Sequence, residues 1–209
     1  TRFELDERLL PIGEVPHDAA VDIRNPRRLG DITLTTGFGS IGADGHAARF
    51  LNRRGFTLEQ IERNSAFDLK GSFDAVEQLL EEARAASSDY RVVQWSAPTP
   101  DEYIEGYAWV KSRMSTDVPS AGLDIDEETW DAERVRTHDA RFTENGRIVH
   151  VVAAQHIETG ELCAFNELVI GADRSEVSHQ EDTLVLKDHR GHRLGALVKC
   201  ENLLAWREI

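Results

Sequence analysis

The chain has 209 residues, 40% hydrophobic and 30% charged, with a formal net charge of −14 at pH 7. That excess of acid argues against a nucleic-acid partner, whose phosphates it would repel, and suits a cationic or amine-bearing one. No apolar run approaches the ~18 residues of a membrane span, so no membrane partner is expected. Cys163 and Cys200 fit no metal or redox spacing, and reduced buried thiols in a cytoplasmic protein are the expectation.

Residues 1–30 carry Pro11, Pro16 and Pro26, which break any long element, and this stretch stays unassigned. Ile32 to Thr36 is a β-branched strand candidate, followed by a turn with Gly37, Gly39 and Gly42. Ala43 to Arg54 reads as a helix stopped by Gly55, and Phe56 to Leu69 as a strand. Phe73 to Ala86 carries a narrow apolar stripe between charges, which predicts a linker helix.

Tyr90 to Trp95 alternates as a strand, and Pro98 to Glu102 opens a helix bearing Tyr103, Tyr107 and Trp109. Ser115 to Asp126 reads as an acidic loop, and Glu127 to Glu144 as a second helix. Arg147–Ile157 and Leu162–Ile170 are hairpin strands joined at Glu158-Thr159-Gly160. Leu184-Val185-Leu186 is then a buried strand, expected over 182–187. After a glycine turn, Leu194, Leu197, Val198, Leu203 and Leu204 fall at helical spacing.

Strand, glycine turn and helix together make an anion site, because the first helical N–H groups have no intrahelical partner. Arg190, His192 and Arg193 stand at that helix start, where the macrodipole disfavours cations unless an anion fills the gap. The bland alternative is a solvated basic turn before an ordinary helix.

Arg190-Gly191-His192-Arg193-Leu194-Gly195 resembles motif A of the GCN5-related N-acetyltransferases (GNATs), Arg/Gln-x-x-Gly-x-Gly/Ala, with Arg193 in place of the middle glycine. Thr116-Asp117-Val118-Pro119 and His189-Arg190-Gly191-His192-Arg193-Leu194-Gly195 resemble tandem GNATs of the mycothiol synthase-like type, and a helix ending Arg53-Arg54-Gly55-Phe56 between two strands resembles the last third of a GNAT domain. The resemblance spans roughly residues 31–209 and implies an α/β (α+β) GNAT fold. Its mostly antiparallel sheet is flanked by helices, and its fourth strand leads into the CoA-binding helix.

The resemblance implies the following organisation. Residues 1–71 are the C-terminal part of a first GNAT-like domain, 72–88 a linker helix, and 89–209 the front of a second domain. That second domain is completed by 31–69, by exchange in a homodimer, or by polypeptide outside this sequence. Starting at Thr1 and stopping after the motif A helix, the chain reads as a fragment.

Acetyl-CoA is the implied cofactor. Its pyrophosphate is expected on Arg190, Gly191, His192, Arg193, Leu194, Gly195 and Ala196, and its thioester carbonyl on a backbone N–H of Leu184, Val185 or Leu186. The acceptor is then a small-molecule amine. Glu181, Asp182 and Glu167 are the candidate bases, each also readable as a solvated or capping carboxylate. The tyrosine that often serves the family as general acid corresponds to Leu51, so the first copy is expected to be silent. Two readings stand beside N-acetyl transfer: a GNAT-like module that binds acyl-CoA or a partner without turnover, and a dimerisation scaffold. Tyr103, Tyr107 and Trp109 read as core or as the lining of an acceptor pocket. His179, His189 and His192 impose no metal spacing, and no metal is expected.

Overall fold

The structure, a computed structural model, describes residues 2–5, 31–33, 40–42, 45–61, 66–117, 126–174 and 177–209. Expectations for residues 6–30, the Gly37/Gly39 turn and the stretch from Val118 to Ile125 lie outside the described residues.

The chain divides into two compact units, the first within residues 1–67 and the second made of Asp68–Val118 and Asp126–Ile209. In the first, β1 (Arg2–Leu5) pairs parallel with β4 (Thr57–Ile61), and β2 (Asp31–Thr33) pairs antiparallel with β3 (Ser40–Gly42). Helix α1 (His46–Asn52) lies between β3 and β4 in sequence and ends in a turn where Gly55 has φ +78°.

The second unit is built on one antiparallel sheet in the order β5 (Tyr90–Ser96), β6 (Ile148–His156), β7 (Leu162–Ile170), β8 (His179–Val185). Eight of the nine β7 residues are buried, because helices cover the sheet on both faces and leave no polar side for alternation. On one face pack α3 (Asp101–Ser112) and α5 (Ala132–Thr143), with Val93, Trp95, Val151, Phe165 and Leu184 beneath them. On the other lie α2 (Asp74–Ala85) and α6 (Leu194–Trp206), over Val152, Ala154, Cys163 and Ala164. The expected order of strand, two helices, hairpin, strand and helix is the observed one, in a mixed α/β unit with an antiparallel sheet flanked by helices.

The segment read as a linker helix packs Val76, Leu80 and Ala83 into this core and joins α6 through Arg84–Glu201 at 2.7 Å. Of the strand expected over Phe56 to Leu69, the described residues form only Thr57–Ile61, with no strand at 66–69, and in the second unit three boundaries differ from the sequence reading. The start of the acidic loop is a helical turn, α4 (Met114–Asp117), held by the Asp117 N–H on Arg113 O at 2.8 Å. The second helix begins only at Ala132, because Trp130 N–H is anchored on Ser112 Oγ at 2.7 Å and Asp131 caps the Arg134 N–H at 2.8 Å. Strand β8 starts at His179, since its polar residues still pair with β7 and only its last residues enter the core. In the β6–β7 hairpin, Gly160 takes φ +74°, which the turn needs and a β-branched residue would resist.

Candidate functional site

Strand β8 ends in a three-residue 3-10 helix, Lys187–His189, and the chain then turns through Gly191 at φ +93° into α6. Arg193 is the N-cap residue in the left-handed region, at φ +55°, with no side-chain cap. Arg190 N–H is already engaged by Lys187 O at 3.3 Å. Among the described residues no protein acceptor meets the N–H groups of Gly191 to Ala196. A side chain at Gly191 would meet nothing within 4 Å, so the turn is open to solvent on that side. A Cβ at Gly195 would lie 3.5 Å from Val185 Cγ2, an ordinary contact, so anything larger than alanine there would press the helix start against β8.

The basic side chains of the turn are not free, as their sequence context had suggested. Arg190 donates to Asp117 O at 2.5 Å and Val185 O at 3.4 Å, and Arg193 pairs with Glu82 of α2 at 2.5 Å. His192 packs its ring 5.4 Å from Tyr90. Asp117 fastens the other end of the turn: its carboxylate takes the Lys187 N–H at 3.0 Å and Arg113 Nη2 at 2.7 Å. Burial alone would push this carboxyl up, but the Lys187 N–H and the Arg113 guanidinium outweigh it and hold Asp117 below the usual range.

Among the described residues, the backbone of β8 also has a side that no strand pairs. Leu186 N–H donates to Cys163 O at 2.9 Å, which points the backbone groups of Leu184 and Leu186 toward β7. By alternation, those of Thr183 and Val185 point away from it, as the Arg190 contact to Val185 O confirms. The side chains of Leu184 and Leu186 are core, 3% and 7% exposed. Of the three residues singled out in the sequence, Val185 is therefore the one whose N–H faces the open edge.

The three candidate carboxylates part company. Glu181 is exposed on β8. Glu167 is 1% exposed, with both oxygens 3.1 Å from Lys111 Nζ and one accepting the Tyr107 hydroxyl in a short hydrogen bond. Asp182 Oδ2 stands 3.0 Å from the same ammonium, with its side chain 41% exposed. Lys111, itself buried, lies 4.8 Å from the Trp130 ring centroid and 5.5 Å from those of Tyr107 and Phe165. Burial, and then Glu167, push the Tyr107 hydroxyl well above its usual pKa, so it stays a hydrogen-bond donor. Tyr103 stacks on Trp95 at 5.1 Å, and Trp109 is exposed. Lys111 was missed in the sequence. At the C-terminal end of an amphipathic helix a lysine is the ordinary choice for the macrodipole, and nothing local marks it as buried.

His179 is exposed at the start of β8, while His189 is held by Tyr90 Oη at 2.9 Å from Nδ1. Burial pushes the Cys163 thiol up to about 11, and Cys200 is raised for the same reason. No helix among the described residues is long and apolar enough to cross a membrane.

No family model matches the chain, and no curated protein matches it. Two solved structures are similar to it. One is a tandem GNAT protein from the clavulanic acid biosynthesis pathway, solved without AcCoA: 20% identity, 78% of this chain, 56% of that chain, TM-score 0.46. The other is L-PGS from Bacillus licheniformis: 13% identity, 78% of this chain, 51% of that chain, TM-score 0.37. The chain spans about half the length of these structures.

Proposed function

We propose that the second unit binds acetyl-CoA and transfers its acetyl group to a small-molecule amine. The observation that carries this reading is the row of N–H groups from Gly191 to Ala196 that meet no acceptor among the described residues, at the positive end of α6 and open at Gly191. A pyrophosphate fits that donor set: it is anionic, it accepts from several N–H groups at once, and Gly191 puts no side chain in its way. Acetyl-CoA, when bound, would supply the thioester whose carbonyl carbon the amine attacks, the C–N bond forming as the C–S bond breaks and CoA leaves as a thiolate protonated from solvent.

Every other part belongs to the chain. Gly191 to Ala196 hold the pyrophosphate. Val185 N–H, on the open edge of β8, is the donor for the oxygen that gains charge during attack. Asp182 is the carboxylate that meets both solvent and the buried Lys111, and it orients the amine or, through water, takes its proton. Glu167 is enclosed with Lys111 and Tyr107 and acts on the site by fixing that ammonium, not by touching substrate.

One observation favours a second reading, binding without turnover. Lys111 claims both Glu167 and Asp182, which leaves exposed Glu181 as the carboxylate without a cation beside it.

Titration calorimetry separates the readings from a bare basic turn. CoA is expected to bind at least tenfold more tightly than pantetheine, which lacks the pyrophosphate. Gly191→Val and Gly195→Val should each weaken CoA tenfold or more: the first strains a left-handed residue, the second pushes α6 off Val185. Equal affinity for CoA and pantetheine would overturn the assignment. CoA release with a panel of amines then distinguishes transfer from binding alone.

A further inference from the structure

Glu161 and Cys163 stand two residues apart where β7 begins, a spacing that turns both side chains to one side of the strand. The hydrogen bond from Leu186 N–H to Cys163 O brings the end of β8 beside them, and the 3-10 turn carries His189 back over the pair. One ligand-capable atom from each of Glu161, Cys163 and His189 lies within 4.8 Å of the other two. Tyr90 engages His189 Nδ1 at 2.9 Å, which leaves Nε2 as the outward ring nitrogen, 3.8 Å from Glu161 Oε2. A hydrogen bond on one ring nitrogen that presents the other is how ligating histidines are ordinarily oriented.

We propose that Glu161, Cys163 and His189 form a zinc site that clasps the start of β7 to the turn before α6. Thiolate, imidazole and carboxylate are all zinc ligands, and three of them leave a fourth position for water. At zinc's bond lengths of roughly 2.0–2.3 Å, neighbouring ligand atoms stand about 3.5 Å apart. The cluster therefore has to contract by up to about an ångström, through movement of the partly exposed His189 and Glu161 side chains. As the zinc–sulfur bond forms, the buried Cys163 thiol gives up the proton it donates to Glu161 O at 3.3 Å, which leaves by way of the metal-bound water to solvent; no oxidant or reductant is involved. The sequence concealed the site because Cys163 and His189 belong to different elements, brought together only by the β7–β8 pairing.

Cobalt(II) titration of the whole chain tests it. One equivalent should give a thiolate-to-cobalt charge-transfer band that zinc abolishes by displacement. The band should survive Cys200→Ser and vanish in Cys163→Ser. His189→Asn and Glu161→Gln should weaken zinc at least tenfold by calorimetry, and zinc should raise the melting temperature of the wild type more than that of either variant. No cobalt band, a band that persists in Cys163→Ser, or wild-type zinc affinity in His189→Asn overturns the site. Should Cys163→Ser fail to fold, His189→Asn decides, since its partly exposed ring leaves no buried gap. No readout involves an acyl thioester, so this result is independent of the acetyl-transfer reading.

Discussion

Lys111→Met is expected to lower the folding stability of the second unit by about 3–5 kcal/mol, the usual consequence of removing one partner from a buried ion pair. The ammonium has no water to return to: its side chain is 1% exposed, as Glu167's is 2%. Without it, Glu167, opposite Val151 in the sheet, keeps among the described residues only the Tyr107 hydroxyl for its buried negative charge. Methionine matches the stem of lysine, so packing changes little and the loss reports charge. The double variant Lys111→Met/Glu167→Gln should recover most of the deficit, because neither charge is then stranded. Urea unfolding of both variants and of Glu167→Gln closes a double-mutant cycle. A loss below about 1 kcal/mol in Lys111→Met would show the pair to be solvated in solution, and the network would cease to matter to the site.

The same network shows why part of the molecule was legible in the sequence and part was not. β7 announced itself as an almost unbroken apolar run, and α6 as leucines at helical spacing after a glycine turn; both signals are local. The motif from Arg190 to Gly195 is contiguous, so its strand–turn–helix geometry could be expected from composition. What fixes the chemistry is not contiguous. Lys111 finds Glu167 56 residues away and Asp182 71 away, while Arg193 finds Glu82 111 away. A cation beside a helix start therefore read as unpaired when a second helix, packed on the same sheet face, had already supplied its carboxylate. Glu167 and Asp182 were visible as acids on the right strands, but not the difference in burial that separates them. Both acids face Lys111 of α3, and what separates them is that β7 is an inner strand of the sheet and β8 its edge.

Asp117→Ala should both loosen the cofactor turn and alter the acid limb of stability. The carboxylate is 4% exposed and receives the Lys187 N–H and the Arg113 guanidinium, so its removal leaves a buried donor unmet and costs about 2 kcal/mol. Lys187 is the first residue of the 3-10 turn, and Arg190 is tied to the backbone carbonyl of the same aspartate. Alanine keeps that carbonyl but frees the Lys187 end, so the turn loses part of the alignment that presents Gly191 to Ala196, and CoA affinity is expected to fall about tenfold. The pH dependence follows from the depressed pKa of Asp117 in the fold. Its stabilising increment is present above the unfolded value of about 3.9 and is lost as pH falls through the lower folded value. Asp117→Asn keeps an acceptor for the Lys187 N–H but cannot titrate, so its stability should fall less steeply below pH 4 than that of the wild type. Parallel acid limbs in the two proteins would mean that the carboxylate is not held by these contacts in solution. A wild-type CoA affinity in Asp117→Ala would mean that the turn keeps its form without them.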